Sequence, residues 1–301
     1  MIMKNTQKGI PLPIGRYMDL LTDFGFKKVF GTEPNKDLLI AFLNELFKGR
    51  KVIRDLVYNP QEKGGPVKEY RKAIFDLTCT GTDGETFIIE VQRAHQKCFT
   101  DRALFYTASK LYAQGPKGKK AWDFNLKEVY LIAVMDFNFD NTLPGNYIHR
   151  VRLAAEETGY TFYNKLGFIF LELPNFNLKE SDIKTDLERW LYVLRNMGNL
   201  RQIPVTLYKK TFQKLFRIAE VANLKKEDYM LYEKDLLNKW TEYAVLKSAE
   251  EKGMERGLEK AKTEYIRNLI TKLNFTDAQI ADVTEVSIDF VKKIRSALKK
   301  K

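Results

Sequence analysis

Two carboxylates interrupt an otherwise apolar, alternating pattern between residues 73 and 92. The chain there runs Ala73-Ile74-Phe75-Asp76-Leu77-Thr78-Cys79, turns at Thr82-Asp83-Gly84, and returns through Phe87-Ile88-Ile89-Glu90-Val91-Gln92. Period-two alternation marks both arms as strands, and Asp83-Gly84 is a hairpin signal. Phe75, Leu77, Cys79, Phe87, Ile89 and Val91 share one face. Ile74, Asp76, Thr78, Ile88, Glu90 and Gln92 share the other. A two-residue loop would set Asp76 against Val91 and put the apolar rows on opposite faces. A three-residue loop, 82–84, pairs 81 with 85 and sets Asp76 opposite Glu90. Only this register gathers both apolar rows on one face. It requires Gly84 in the left-handed region.

Directly opposed Cβ atoms on paired strands lie about 4.5–5.5 Å apart. Two carboxylates that close repel, and the local sequence offers neither a cation. A bound hard cation resolves the repulsion, and oxygen ligands suit Mg²⁺ or Mn²⁺. Gln92, two residues beyond Glu90 on the same face, could orient a water or a phosphate. The alternative is an edge hairpin with one solvated face, against which Ile74 and Ile88 weigh.

Other side chains could serve the same chemistry. Arg102 and Tyr106 are four apart and share a helix face, with Ser109 and Lys110 beside them. They could contact a phosphate, for which arginine is the best-shaped side chain, or form an exposed face. The following loop supplies Lys117, Lys119 and Lys120, either DNA-backbone contacts or a solvated loop. His95 reads as a surface residue and Cys79 as a small core residue. Cys98 has no evident basic partner. Two cysteines, two histidines and no CxxC pair leave no ligand set for a structural zinc and no disulfide scaffold.

The elements that must position these groups can be read from spacing. Thr22 caps a short helix carrying Asp23, Lys27 and Phe30. A second helix opens near Pro34 and buries Leu38, Leu39, Phe42, Leu43, Leu46 and Phe47, and Gly49 ends it. Val52–Tyr58, Tyr70–Cys79 and Glu85–Val91 read as strands, and Phe99–Gln114 as a helix. Val129–Phe137 is almost entirely apolar, as a strand buried on both faces should be. Strands follow near 148–154 and 167–173, then helices near 181–197, 206–222 and 227–250.

Asp in one strand, Glu-Val-Gln in its hairpin partner and a helix behind resembles the PD-(D/E)XK nuclease superfamily. More closely, the chain resembles its recombination-promoting nuclease and nuclease-family transposase members. Three segments carry the likeness: Thr22-Asp23-Phe24-Gly25-Phe26-Lys27-Lys28-Val29-Phe30-Gly31, the acidic hairpin, and Asp101-Arg102-Ala103-Leu104-Phe105-Tyr106. The resemblance implies a restriction-endonuclease-like α/β fold, a mixed sheet flanked by helices with an all-helical C-terminal extension. It implies divalent-metal hydrolysis of DNA phosphodiesters, with Asp76 and Glu90 as metal ligands. Asp23 matches the upstream acidic position, a further potential ligand. The superfamily's lysine falls on Gln92, which supplies no charge and no base. Lys27, one helical turn from Asp23, is the first substitute cation, with Lys110 and Arg102 next. Nothing in the spacing matches the three-carboxylate arrangement of integrase-like transposases.

These readings divide the chain into a nuclease core (1–175), a helical extension (176–250) and a helical tail (251–301). Within the tail, Met254, Leu258, Ala261, Tyr265 and Leu269 step at helical spacing and form a narrow seam for one partner helix, suggesting a homodimer. Gly253 and Gly257 could allow close approach. Phe275–Ala281 followed by Val286–Val291 resembles a helix-turn-helix with Thr276 and Ser287 as N-caps and Lys292, Lys293 and Arg295 on its last helix, with an amphipathic dimerisation hairpin as the alternative.

At 301 residues and 44% apolar composition the chain can bury a core, and 30% charged residues do not make it disordered. The net charge of +12 is uneven. Residues 1–120 hold 21 Lys and Arg against 13 Asp and Glu, residues 121–200 hold 8 against 11, and residues 201–301 hold 22 against 15. Two basic regions flanking an acidic one suit a polyanion partner. No run of about 18 apolar residues occurs, and the first residues lack a signal-peptide core. A soluble cytoplasmic protein is therefore expected. Two functions compete: a Mg²⁺-dependent DNA endonuclease, or a DNA-binding or scaffold protein that kept the fold without cleavage.

Overall fold

Thr22 sits in extended backbone and its hydroxyl accepts from the Gly25 amide, which starts helix α1 (Asp23–Phe30) where the sequence placed it. The computed structural model describes residues 14–59, 76–94, 96–116, 122–140, 142–273 and 275–299. Residues 70–75, His95, Lys117, Lys119 and Lys120 therefore lie outside the described residues. Helix α2 (Lys36–Leu46) follows a short turn containing Pro34 and buries Leu38, Leu39, Phe42, Leu43 and Leu46.

Three strands then form a meander: β1 (Leu56–Tyr58), β2 (Leu77–Gly81) and β3 (Thr86–Gln92), paired antiparallel. Helix α3 (Phe99–Tyr112) leads to β4 (Val129–Met135), which lies parallel to β3. A helix between them fits, because parallel neighbours need a long crossover. β5 (Ile148–Ala154) and β6 (Thr161–Glu172) complete a mixed sheet of order β1-β2-β3-β4-β6-β5. β6 begins at Thr161, earlier than the expected 167, and pairs with β5 across irregularities near Leu153. Helices on both sides make this the expected restriction-endonuclease-like α/β arrangement.

The register is the one that gathers the apolar rows. Leu77 pairs with Ile89, Thr78 with Ile88 and Cys79 with Phe87. Gly81 donates to Glu85 across a three-residue loop, and Gly84 has φ +84°. Continued by one residue, this register sets Asp76, in the bend before β2, opposite Glu90.

One sheet face packs on α3: Ile88, Leu131, Ala133 and Phe170 cluster with Phe99 and Ala103. The other faces α1 and α2, where Phe47 meets Phe87, and Phe30 and Phe42 meet Trp190. Trp190 lies on α4 (Asp186–Asn196), whose neighbour is α5 (Lys210–Ala219). Helix α6 runs unbroken from Lys226 to Lys272, well past the expected end near 250. Beyond the helix itself, no atom among the described residues of this chain lies within 4 Å of a Cβ built on Gly253 or Gly257.

The chain divides into two compact units, 1–239 and 240–301. In the second, Ile266, Leu269 and Ile270 of α6 pack with α7 (Asp277–Thr284) and α8 (Ile288–Lys299). Among the described residues no helix is long and apolar enough to cross a membrane.

Candidate active site

Helix α1 brings Asp23 and Lys27 to the acidic hairpin, and its amino end is held from two sides. The Thr22 hydroxyl caps Gly25, and the Phe24 amide donates to Asp235 Oδ2 at 2.9 Å. Both contacts satisfy amides that a helix start leaves without partners. Lys27 Nζ lies 2.6 Å from Asp23 Oδ1.

Asp76 Oδ2 accepts from the Val91 amide at 2.6 Å, which ties the bend before β2 to β3. Burial pushes the Asp76 carboxyl up to about 6. The Val91 bond and Lys27 oppose that rise, and the neighbouring Asp23 carboxyl adds to it. Glu90 is 6% exposed, and its Oε2 has no hydrogen-bond partner among the described residues. Burial pushes it to about 7, with Asp76 adding to the rise and Arg102 opposing it. Two neighbouring carboxyl groups both shifted upward mark a place where negative charge is crowded and poorly solvated.

Arg102 on α3 reaches back to β3. Its Nη2 lies 2.5 Å from Gln92 Oε1 and 3.9 Å from Glu90 Oε2, an ion pair too long for a hydrogen bond. It also bonds Gln96 and lies over the Phe99 ring, 5.4 Å from its centroid. The Gln92 amide nitrogen donates to the Ala94 carbonyl at 2.9 Å. Both ends of the Gln92 amide are thus occupied. Tyr106, one turn along α3, has its hydroxyl pushed up chiefly by burial and then by the Glu90 charge. Lys110 lies a further turn on and is half-buried.

The fold thus brings together Asp23, Lys27, Asp76, Glu90, Gln92, Arg102 and Tyr106. The cations that the local sequence does not offer the carboxylates, Lys27 and Arg102, come from elements distant from the hairpin in sequence, the two already named as substitutes. Among the described residues no group of three or more His, Cys, Asp or Glu is arranged to hold a metal ion. Asp23 is held by Lys27, so a cation would rest on Asp76 and Glu90. Those two fit a hard ion that takes one or two carboxylates and keeps several waters, and the orphaned Glu90 oxygen is the position to receive it.

Sequence reasoning missed the support around the site. Asp235 on α6 also faces Arg93, at 3.8 Å, directly after Gln92. Lys239, 7% exposed, lies 2.7 Å from Asp19 and 4.0 Å from Asp136, the residue that follows β4. Arg93 could have been noticed beside Gln92; nothing in the sequence links Asp235 or Lys239 to the hairpin.

Residues 20–249 match the family model described as PD-(D/E)XK nuclease family transposase. The chain belongs to that family. No curated protein and no solved structure matches it. The matched span includes every side chain of the acidic cluster and the α6 segment that holds α1. PD-(D/E)XK nucleases generally use divalent metal ions, in keeping with the donor set formed by Asp76 and Glu90. Membership points to nuclease-like chemistry with DNA as the substrate class.

Proposed function

We propose that this PD-(D/E)XK family protein is a Mg²⁺-dependent DNA endonuclease whose centre is the Asp76–Glu90 pair. The observation that carries the reading is the pair itself. The Asp76 carboxyl, in the bend before β2, and the Glu90 carboxyl of β3 lie close enough for Asp76 to raise Glu90; burial raises both, and one buried Glu90 oxygen makes no hydrogen bond among the described residues. Asp76 and Glu90 would hold the ion, Mg²⁺ or Mn²⁺. Held there, such an ion would supply a lowered pKa for bound water and an offset to charge on the phosphoryl oxygens.

The remaining work falls to side chains of this chain. The Val91 amide fixes the Asp76 carboxylate in place. Gln92 acts as a bracket rather than a base, because its oxygen holds Arg102 and its nitrogen is tied to Ala94. Positive charge near a scissile phosphate eases the approach of hydroxide to an anionic diester. Lys27 supplies it from the Asp76 side and Arg102 from the Glu90 side. Tyr106 and Lys110 extend the same α3 face toward the substrate backbone, with Lys117, Lys119 and Lys120 following in sequence.

The occupied Gln92 amide also favours a second reading, a DNA-binding protein of the same fold that no longer cuts. Incubation of supercoiled plasmid with the purified protein separates the two. Nicking or linearisation with Mg²⁺, absent in EDTA and absent for Asp76→Ala, supports the nuclease. Intact plasmid with Mg²⁺ and with Mn²⁺ favours the non-cleaving reading.

A further inference from the structure

The carboxyl-terminal unit carries an arrangement that the acidic cluster does not use. Three residues, Glu285-Val286-Ser287, join α7 to α8. Glu285 adopts the left-handed conformation with φ +50°. Its neighbour Val286 donates to the Ala281 carbonyl at 3.2 Å and packs into the small core. The Ser287 hydroxyl accepts from the Phe290 amide at 3.3 Å and so starts α8. Arg295 then locks α8 onto the start of α7, with Nε 2.7 Å from Asp277 and Nη2 2.6 Å from the Phe275 carbonyl. The turn is therefore held at both ends, and Arg295 is committed to structure.

The outward face of α8 has a distinct chemistry. Ile288, Lys292 and Ser296 follow one another at intervals of four, so they lie along one line of the helix. Ile288 is 45% exposed at the first turn. Lys293 is exposed beside Lys292. Residues 291–301 hold six Lys and Arg and no Asp or Glu.

We infer that residues 240–301 form a duplex-DNA-binding helix-turn-helix, with α8 lying in the major groove. Two helices joined by a three- to four-residue turn, the second entering the groove by its amino-terminal half, is the geometry of that motif. Ile288 stands where an apolar side chain meets a thymine methyl, and Lys292 and Lys293 stand where phosphates pass. Asp289 is the acidic exception on α8, exposed and 3.9 Å from Lys292, and Glu285 is exposed in the turn before it. In a groove a carboxylate accepts from the cytosine amino group, so it would act on sequence choice. The charge argues against a second copy on this face, because a two-fold contact would set the two basic helices against each other.

The test uses the full chain and a short labelled duplex, with binding followed by fluorescence anisotropy in EDTA across a KCl series. EDTA makes the outcome independent of whether Asp76 and Glu90 cut DNA. Lys292→Ala combined with Lys293→Ala should weaken binding roughly tenfold and reduce the salt slope by about 1 to 2. Lys225→Ala with Lys226→Ala, an equal loss of charge in the other unit, should change binding far less. Light scattering should give the same mass for all three proteins. Equal loss in the control, unchanged binding in the α8 variant, no binding by the parent chain, or a lower mass for the α8 variant would each overturn the inference, the last pointing to a contact between copies.

Discussion

The charge balance around Asp76 and Glu90 decides how the site behaves. Lys27 lies beside Asp23 and lowers the Asp76 carboxyl that burial raises. If it also replaces the missing lysine, Lys27→Ala should cut the rate of DNA cleavage about 10- to 100-fold, on the scale of one lost electrostatic contact. DNA binding and the circular dichroism melt should barely change; full cleavage by that variant excludes the role. The raised carboxyl groups give a pH dependence with a definite sign. In the folded chain Glu90 keeps its proton up to about 7, and Asp76 to about 6. Once unfolded, both release it at ordinary carboxylate pH. Between those limits the folded state holds more protons, so the metal-free fold loses stability as pH rises through the folded values. Glu90→Gln should therefore stabilise the metal-free protein at pH 8 by on the order of 2 kcal/mol, with the gain gone near pH 4. Urea unfolding in EDTA at both pH values measures it. Divalent-ion affinity should run the other way, rising as pH climbs past 7, because protons and metal compete for the same oxygens.

The hairpin is the element whose geometry was legible, because its determinants are local. Alternation gave the faces, and one glycine chose between two registers that differ by a flip of every side chain. At φ +84° the cost of a side chain at 84 is conformational, since the nearest atoms to an added Cβ, on Lys127, lie at 3.4 Å. Gly84→Ala should lower unfolding free energy by about 1–2 kcal/mol, read from urea denaturation. An unchanged midpoint would mean that the turn does not hold the register. Past residue 250 the helical spacing of Met254 to Leu269 was legible, but the continuity of one helix from Lys226 to Lys272 was not. The charged stretch buries no face that would tie its two halves together, and two glycines weaken it by about 1 kcal/mol each. The clamp that Asp235 places on Phe24 joins residues 211 apart, which no local pattern encodes. The substitute cations Lys27 and Arg102 were legible as candidates, but the contact of Arg102 with Gln92 was not, since only folding sets the two together.

Membership of the PD-(D/E)XK transposase family rests on residues 20–249, so the tail beyond α6 lies outside that match. Met254, Leu258 and Tyr265 are exposed along α6, while Leu269 turns into the small core. The proposed homodimer predicts that Met254→Lys with Leu258→Lys converts a dimer to a monomer in light scattering. One mass for both proteins at every concentration removes the dimer. The proposed chemistry requires Asp76 and Glu90 to share one divalent ion. Electron paramagnetic resonance titration with Mn²⁺ at pH 8 examines that directly in the full chain, beside Asp76→Asn and Glu90→Gln. One site per chain in the parent protein, lost in either variant while both remain folded, is the predicted result; an unaltered site in both variants, or none in the parent, would contradict it.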